Sequence, residues 1–319
     1  MQRPPPEKNF PPSCLPNSFV ASACLKPDFF IVGAPRSGTT ALCNYLRAHP
    51  ELFISSPKEP TYFGRDLVPK KFAALENYLA LFQNTGAARH AGDGSVAYLC
   101  SDFAAEEIRA FNADARILII LREPVEMMHS LHLKHYHMGI EPCRTLEAAL
   151  AAEPERLAGR GVPGGVAAKV IALRNRASYA RQVARFLDAF GREQVKVFLF
   201  DDFRADTAGV FRETCRFLGV RDDIAPPLEP HNIGRAVKSK GWHEFLTRAP
   251  KWAQRIARVL MPSEKVRQRV TRALVRRNES AGKPELLSPE LRARLRAEFA
   301  GEVAELGRLL GRDLNAWSS

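Results

Sequence analysis

The chain has 319 residues, of which 45% are hydrophobic, and its 47 Lys and Arg outnumber 35 Asp and Glu to give a net charge of +12. That is ordinary globular composition, enough for a large core in one or two domains, and it excludes a collagen, a coiled coil or wholesale disorder. No run approaches the roughly 18 to 20 apolar residues that cross a bilayer, so no transmembrane helix is expected.

Residues 1–27 hold seven prolines and no helical periodicity, and they read as a flexible N-terminal arm. The mildly apolar Phe19–Leu25 follows prolines where a signal peptide carries a basic region and a longer apolar core, so no signal peptide is read. Residues 28–319 read as the folded domain. Strands are predicted at Asp28–Val32, Leu52–Ser55, Arg116–Leu121 and Val195–Phe200, short apolar runs that suit strands buried on both faces. Helical spacing at Leu42, Tyr45 and Leu46, and again at Tyr179, Val183, Phe186, Leu187 and Phe190, supplies covers for the sheet, and Leu146–Glu153 is rich in helix formers. This order predicts an α/β, P-loop-like, three-layer fold with a central parallel sheet flanked by helices.

From residue 236 the chain is basic, with 18 Lys and Arg against 9 Asp and Glu. Trp252, Ile256, Val259 and Leu260, then Val266, Val270 and Leu274, mark an apolar stripe with arginines opposite. The expectation is two amphipathic helices packed on the core, with a basic face in solvent or against an anionic or membrane surface. The cysteines Cys14, Cys24, Cys43, Cys100, Cys143 and Cys215 are scattered, with no CxxC pair. They read as reduced thiols, which favours a cytoplasmic location over a disulfide or metal scaffold.

The most informative segment is Asp28–Tyr45, DFFIVGAPRSGTTALCNY, in which a buried strand runs through a small-residue loop into a helix. Gly33, Ser37 and Gly38 let the backbone turn tightly and aim its N–H groups at an anion, which also meets the positive end of the helix dipole. The triphosphatase loop GxxxxGK[ST] would place a lysine where Thr39 stands, and here the cation is Arg36 within the loop. Losing that lysine argues against ATP or GTP hydrolysis. A loop with an internal cation suits one 5′-phosphate carrying a transferable group. If that group is sulfuryl, its lower charge means no metal is required. A second element, Ile117–Tyr136, runs from a strand to Arg122, to Pro124 at a first helical position, and to Ser130 about 9 Å further along at 1.5 Å per residue.

From about residue 28 onward the chain resembles the sulfotransferase family that uses 3′-phosphoadenosine-5′-phosphosulfate (PAPS). Gly33-Ala34-Pro35-Arg36-Ser37-Gly38-Thr39-Thr40 matches that family's G-x-x-[KR]-[ST]-G-T-[ST] loop throughout. His49-Pro50 and Lys58-Glu59-Pro60-Thr61-Tyr62-Phe63 resemble the HP and KEPxxF features of its carbohydrate and bacterial branches. Gly92-Asp93-Gly94-Ser95 through Tyr98 is similar to its GExSPxY segment, and Arg122 with Ser130 fits LRxPxxxxxS. The resemblance implies an enzyme that moves a sulfuryl group to a hydroxyl or amine of a sugar, lipid or secondary metabolite and releases adenosine 3′,5′-bisphosphate (PAP). It also implies that Gly33, Arg36, Ser37, Gly38, Thr39 and Thr40 hold the 5′ end, and that Arg122 and Ser130 hold the 3′-phosphate. Arg235 and Lys238, in the basic loop Asn232–Lys240, add to that 3′ site by looser similarity. Tyr179 resembles an SxYA helix start and either touches the nucleotide or packs in the core.

In-line transfer needs a cation near the leaving oxygen, which Arg36 and the helix N-terminus supply, and a base for the acceptor's proton. Glu59 is the first choice, because Pro60 biases it into an extended segment and the matching glutamate is the base in some carbohydrate sulfotransferases. Thr61 departs from the pattern, since a histidine often stands there. Asp93 is the second candidate and His132 and His135 the third, on a helix that otherwise exposes its imidazoles. A P-loop small-molecule kinase and a noncatalytic basic protein on nucleic acid or anionic membranes are the competing readings. No specific nucleic acid is expected, and the acceptor stays open.

Overall fold

The computed structural model describes residues 25–68, 70, 72–163, 166–225, 235–237, 270, 279–281 and 286–318. All five residues of strand β1, Phe29–Gly33, are buried, and a run that is apolar on both sides is satisfied only inside a covered sheet. It lies at the centre of five parallel strands in the order β2-β3-β1-β4-β5, where β2 is Leu52–Ile54, β3 His90–Asp93, β4 Arg116–Leu121 and β5 Val195–Leu199.

Between the strands run helices α1 (Thr39–Arg47), α2 (Leu75–Leu79), α3 (Ala104–Phe111), α4 (Pro124–His137), α5 (Leu146–Ala151) and α6 (Glu153–Leu157). They continue with α7 (Ala168–Ile171), α8 (Leu173–Ala177), α9 (Tyr179–Phe190), α10 (Phe200–Ala205) and α11 (Thr207–Leu218). A long C-terminal helix, Pro289–Leu310, follows. The period of two sorts the strand side chains. Phe29, Ile31, Leu118 and Ile120 pack against α1, α10 and α11. Phe30, Val32, Ile117 and Ile119 pack against α3, α4, α9 and the C-terminal helix. The architecture is therefore the three-layer, P-loop-like α/β fold expected, with a parallel sheet between two helical layers.

Strand β3 escapes the sequence reading, and its position organises the site. It has four residues, HAGD, with no apolar run. It is fixed instead by Asp28, whose carboxylate accepts the Ala91 N–H at 2.9 Å and contacts His90 Nδ1 at 2.6 Å. Gly92 is required because a Cβ there would stand 2.2 Å from the Phe29 ring. Insertion of β3 beside β1 brings the carboxyl ends of β1, β3 and β4 together, the crevice where ligands bind open α/β sheets.

Other boundaries move by small amounts. Residues ahead of β1 also contact the domain, since Leu25 N–H donates to Phe82 O and Asn112 Nδ2 to Pro27 O. Phe200 starts α10 instead of ending β5, and Leu146–Glu153 divides between α5 and α6, where Pro154 occupies the first turn of α6. The C-terminal helix is capped by the Ser288 hydroxyl and ends at Gly311 with φ 64°. Residues 1–24, and the amphipathic stretch 252–274 apart from Val270, lie outside the described residues, as does Lys238. Arg235 belongs to strand β6, Arg235–Val237, which pairs antiparallel with β7, Glu279–Ala281.

Gly92→Ala forces a methyl into the Phe29 ring, and overpacking of this kind costs about 1–3 kcal/mol. A lowered urea midpoint with an unchanged slope is the expected outcome.

Candidate functional site

After Gly33 the chain leaves β1 and makes two left-handed turns, at Arg36 (φ 60°) and Gly38 (φ 84°). Glycine suits the second, since a Cβ there would also meet the Phe203 ring at 2.9 Å. Arg36 adopts the same region with a full side chain, strain of order 1–3 kcal/mol that is characteristic of ligand sites. The buried Ser37 hydroxyl donates to Pro35 O at 3.2 Å and tightens the bend.

Helix α1 then starts at Thr39 with no side-chain cap and no acidic residue in its first turn. Among the longer described helices, α4, α11 and the C-terminal helix are capped by Glu123, Asp206 and Ser288. Helices α3 and α9 share the open start of α1, and of these three only that of α1 lies beside the cleft that holds Arg36 and Arg122. The uncapped first-turn N–H groups and the dipole of α1 therefore suit an anion.

Arg36 Nε donates to Ser130 Oγ on α4 at 2.9 Å, so the loop after β1 and the helix after β4 meet at one point. Arg122 Nη1 donates to Arg36 O at 3.3 Å, and its guanidinium stands 5.2 Å from the Phe200 ring centroid. Burial and then the neighbouring Arg122 charge push the Arg36 pKa down. Arg122 pairs with Glu126 at 3.2 Å, but that carboxylate is also held by Arg292 of the C-terminal helix, and Arg296 pairs with Glu123 at 3.3 Å.

Four cations, Arg36, Lys58, Arg122 and Lys134, and one carboxylate, Glu59, line the cleft over the start of α1. Lys58 Nζ donates to Thr40 Oγ1 at 2.8 Å and stands 3.9 Å from Glu59 Oε1. The sequence reading gave no role to Lys58 and missed Lys134. Lys134 could have been found from its spacing, because it lies four residues beyond Ser130 and so on the same helical face. Its side chain reaches solvent, yet crowding by surrounding protein and then the charges of Arg36, Lys58 and Arg176 lower its pKa, with Glu59 opposing them.

Glu59 corrects one expectation. It sits at φ 60°, followed by Thr61 at φ 53°, so this segment is left-handed and not extended. Hydrogen bonds from the next residues override the bias imposed by Pro60. Thr61 N–H donates to Ser95 Oγ at 3.0 Å, and Tyr62 N–H donates to the Tyr98 hydroxyl at 2.9 Å.

Asp93 is fully buried and does not line the cleft. Its carboxylate accepts from Ser95 Oγ at 2.6 Å, Tyr98 OH at 2.8 Å and Tyr78 OH at 3.0 Å. Desolvation pushes its pKa up to about 6 in spite of those three bonds. Two of the four imidazoles of α4, His132 and His135, are likewise inside, while His129 and His137 are partly exposed. His132 Nε2 contacts Cys143 O at 3.1 Å, and His135 is pushed down to about 3 by burial, then by Arg176 and Lys134. Neither lines the cleft, and Tyr179 is wholly buried in the core. The structure thus brings Gly38, Thr39, Thr40, Arg36, Glu59 and Arg122 to one cleft, with Ser130 bonded to Arg36 and with Gly33 and Ser37 supporting the bend.

A family model described as "Sulfotransferase family" matches residues 27–223. A solved sulfotransferase from Alicyclobacillus acidocaldarius is similar over 92% of this chain and 100% of its own, at 30% identity and a TM-score of 0.70. Among curated proteins, the chain is similar to human carbohydrate sulfotransferase 15, with 29% identity over 161 residues, 34% of this chain and 27% of the relative. It is also similar to the mouse bifunctional heparan sulfate N-deacetylase/N-sulfotransferase 1, with 26% identity over 210 residues, 62% of this chain and 22% of the relative. The chain spans about a quarter of the length of these curated relatives.

The raised Asp93 pKa fixes a sign. Between about 3.8 and about 6 the fold binds a proton at this position that the unfolded chain has already released. The associated stability is fully present below the lower value and is lost as pH rises through the upper one, a change of about 3 kcal/mol. Urea midpoints of the wild type and Asp93→Asn from pH 4 to 8 should show the wild type losing ground to the variant up to about pH 6 and no further change above it.

Proposed function

Because the chain belongs to the sulfotransferase family, we propose that it moves a sulfuryl group from PAPS to a hydroxyl or amine of a carbohydrate acceptor, in line and without a metal ion. The observation that carries this reading is the contact of Arg36 with Ser130, which joins the bend suited to a 5′ anion to the arginine and serine suited to a ribose 3′-phosphate. The cleft fits a polyanionic donor, since four cations face one carboxylate over an uncapped helix N-terminus. Arg36, Ser37, Gly38, Thr39 and Thr40 would hold the 5′ end, and Arg122 and Ser130 the 3′-phosphate. Carbohydrate is favoured as the acceptor class by what the curated relatives are named for, and the basic sequence beyond residue 236 suits an anionic polysaccharide.

In this reading Glu59 takes the proton of the acceptor as its oxygen or nitrogen bonds to sulfur. Arg36 and the first N–H groups of α1 stabilise the negative charge that develops on the departing phosphate oxygen. Lys58 binds Thr40 and stands beside Glu59, so it links the base to the anion loop. The kinase alternative is disfavoured by Thr39, a buried residue where a lysine would have to reach terminal phosphates. A reducing cytoplasmic setting is proposed from the described cysteines, since Cys43, Cys100, Cys143 and Cys215 are all free.

Transfer of labelled sulfate from PAPS to a panel of hydroxyl- and amine-bearing polysaccharides, N-deacetylated heparan sulfate among them, tests the reading. Glu59→Gln should lower kcat by a factor on the order of 10² and leave the affinity for PAP, measured by calorimetry in EDTA, within twofold. Arg36→Ala should weaken both. Magnesium-dependent ATP binding with no binding of PAP would overturn the proposal.

A further inference from the structure

The carboxylate of Asp93 is buried at the end of β3, outside the cleft, yet each of its hydrogen bonds leads toward the segment that carries Glu59 or toward the ring stacked on that segment. Asp93 Oδ1 accepts from Ser95 Oγ, and Ser95 Oγ accepts the Thr61 N–H. Asp93 Oδ2 accepts from Tyr98 OH, and the Tyr98 oxygen accepts the N–H groups of Tyr62 at 2.9 Å and Phe63 at 3.4 Å. Tyr78 OH is the third donor, and its ring stacks on Tyr62 at 4.6 Å between centroids. We propose that Asp93 is a positioning residue, an acceptor-only group that fixes the proton direction of Ser95 and Tyr98 so that their oxygens hold the Thr61–Phe63 backbone and present Glu59 to the cleft.

The argument follows from donor and acceptor inventory. A hydroxyl has one proton to give, and an ionised carboxylate can only receive. With Asp93 ionised, both hydroxyl protons point inward and both oxygens turn their lone pairs to the loop, which offers only N–H donors. An amide at position 93 replaces one oxygen with NH2. Whichever way it lies, a buried hydroxyl loses that acceptor and the loop N–H groups offer none. Ser95 and Tyr98, which also contact each other, can then only turn a proton on one another and so give up an oxygen that holds the loop, and a poorly matched buried donor is costly. The segment so held includes two non-glycine residues in left-handed conformation, Glu59 and Thr61, which persist only where surrounding bonds determine them. Ser95 and Tyr98 therefore act on the geometry of the base, whereas Tyr78 donates to Asp93 and makes no hydrogen bond to the loop backbone.

This inference rests on Glu59 as base, and the test separates the two. Amide hydrogen exchange on the full chain reads the network without turnover. Asp93→Asn, Tyr98→Phe and Ser95→Ala should each speed exchange at residues 61–63 at least tenfold, with residues 33–40 unchanged. Release of labelled sulfate from PAPS to water should fall at least tenfold in each, while the calorimetric Kd for PAP stays within twofold. Tyr78→Phe should lower release less than threefold. Slow exchange at 61–63 in the three variants, or equal losses in Tyr78→Phe and Tyr98→Phe, would overturn the positioning role. If Glu59→Gln abolishes release and Asp93→Asn leaves it intact, the positioning role fails alone. If Glu59→Gln itself leaves release intact, the base assignment falls and this inference with it.

Discussion

An α-helix that begins without a side-chain cap, directly beyond a fully buried central strand, is the constraint on which the site depends. The apolar faces of β1 are covered on both sides, so Gly33 is fixed in place, and the bend through Ser37 and Gly38 delivers the first turn of α1 to the carboxyl edge of the sheet. Each large apolar side chain of β1 contributes about 1.5–3 kcal/mol by burial. That stabilisation comfortably exceeds the 1–3 kcal/mol of strain at Arg36. The open N–H groups of the α1 start need no ligand to place them, because they are backbone groups held by the core.

The charges are arranged to match. Arg36 and Arg122 are drawn together through a backbone carbonyl, with no carboxylate between them at that contact. The acid paired with Arg122, Glu126, is divided between it and Arg292, so the C-terminal helix competes for the carboxylate that would otherwise offset the Arg122 charge. The pairs formed by Arg292 and Arg296 with Glu126 and Glu123 thus tie the long C-terminal helix to the start of α4, the helix that carries Ser130. A pairing of this kind, partly exposed, adds modest stability, and its larger effect is on where the α4 N-terminus and Arg122 stand.

Most of what positions the loop between β1 and α1 is legible in the sequence because it is local. A buried apolar run, a glycine-bearing loop and a following helix occupy consecutive residues, and Arg122, Pro124 and Ser130 repeat that logic after β4. The missing pieces depend on contacts between distant segments. Strand β3 has no apolar periodicity and exists because Asp28 and Phe29 accept it as a neighbour. The left-handed Glu59 contradicts the local rule for a residue before proline, and the reason lies some 34 to 36 residues away in Ser95 and Tyr98. Asp93 reads from sequence as a second candidate base, since the three hydroxyls that surround it come from positions 78, 95 and 98 and are brought to it by the fold. Lys134 is legible through its helical spacing from Ser130, although it sits in a stretch dominated by histidines.

The burial of Asp93 is the clearest case of stability given up for geometry. Its pKa of about 6 means that the ionised form, the one present at neutral pH, is disfavoured inside the fold relative to water. A neutral side chain there would remove that desolvation cost but, as an amide, could not accept from all three hydroxyls, so the carboxylate matters as their common acceptor. What a carboxylate offers is direction: it accepts from every neighbour and so leaves Ser95 and Tyr98 only one way to face. Buried charges and strained backbone torsions are both stabilised by surrounding bonds, and here they are joined by two-step relays, from Asp93 through Ser95 to the Thr61 N–H and from Asp93 through Tyr98 to the N–H groups of Tyr62 and Phe63.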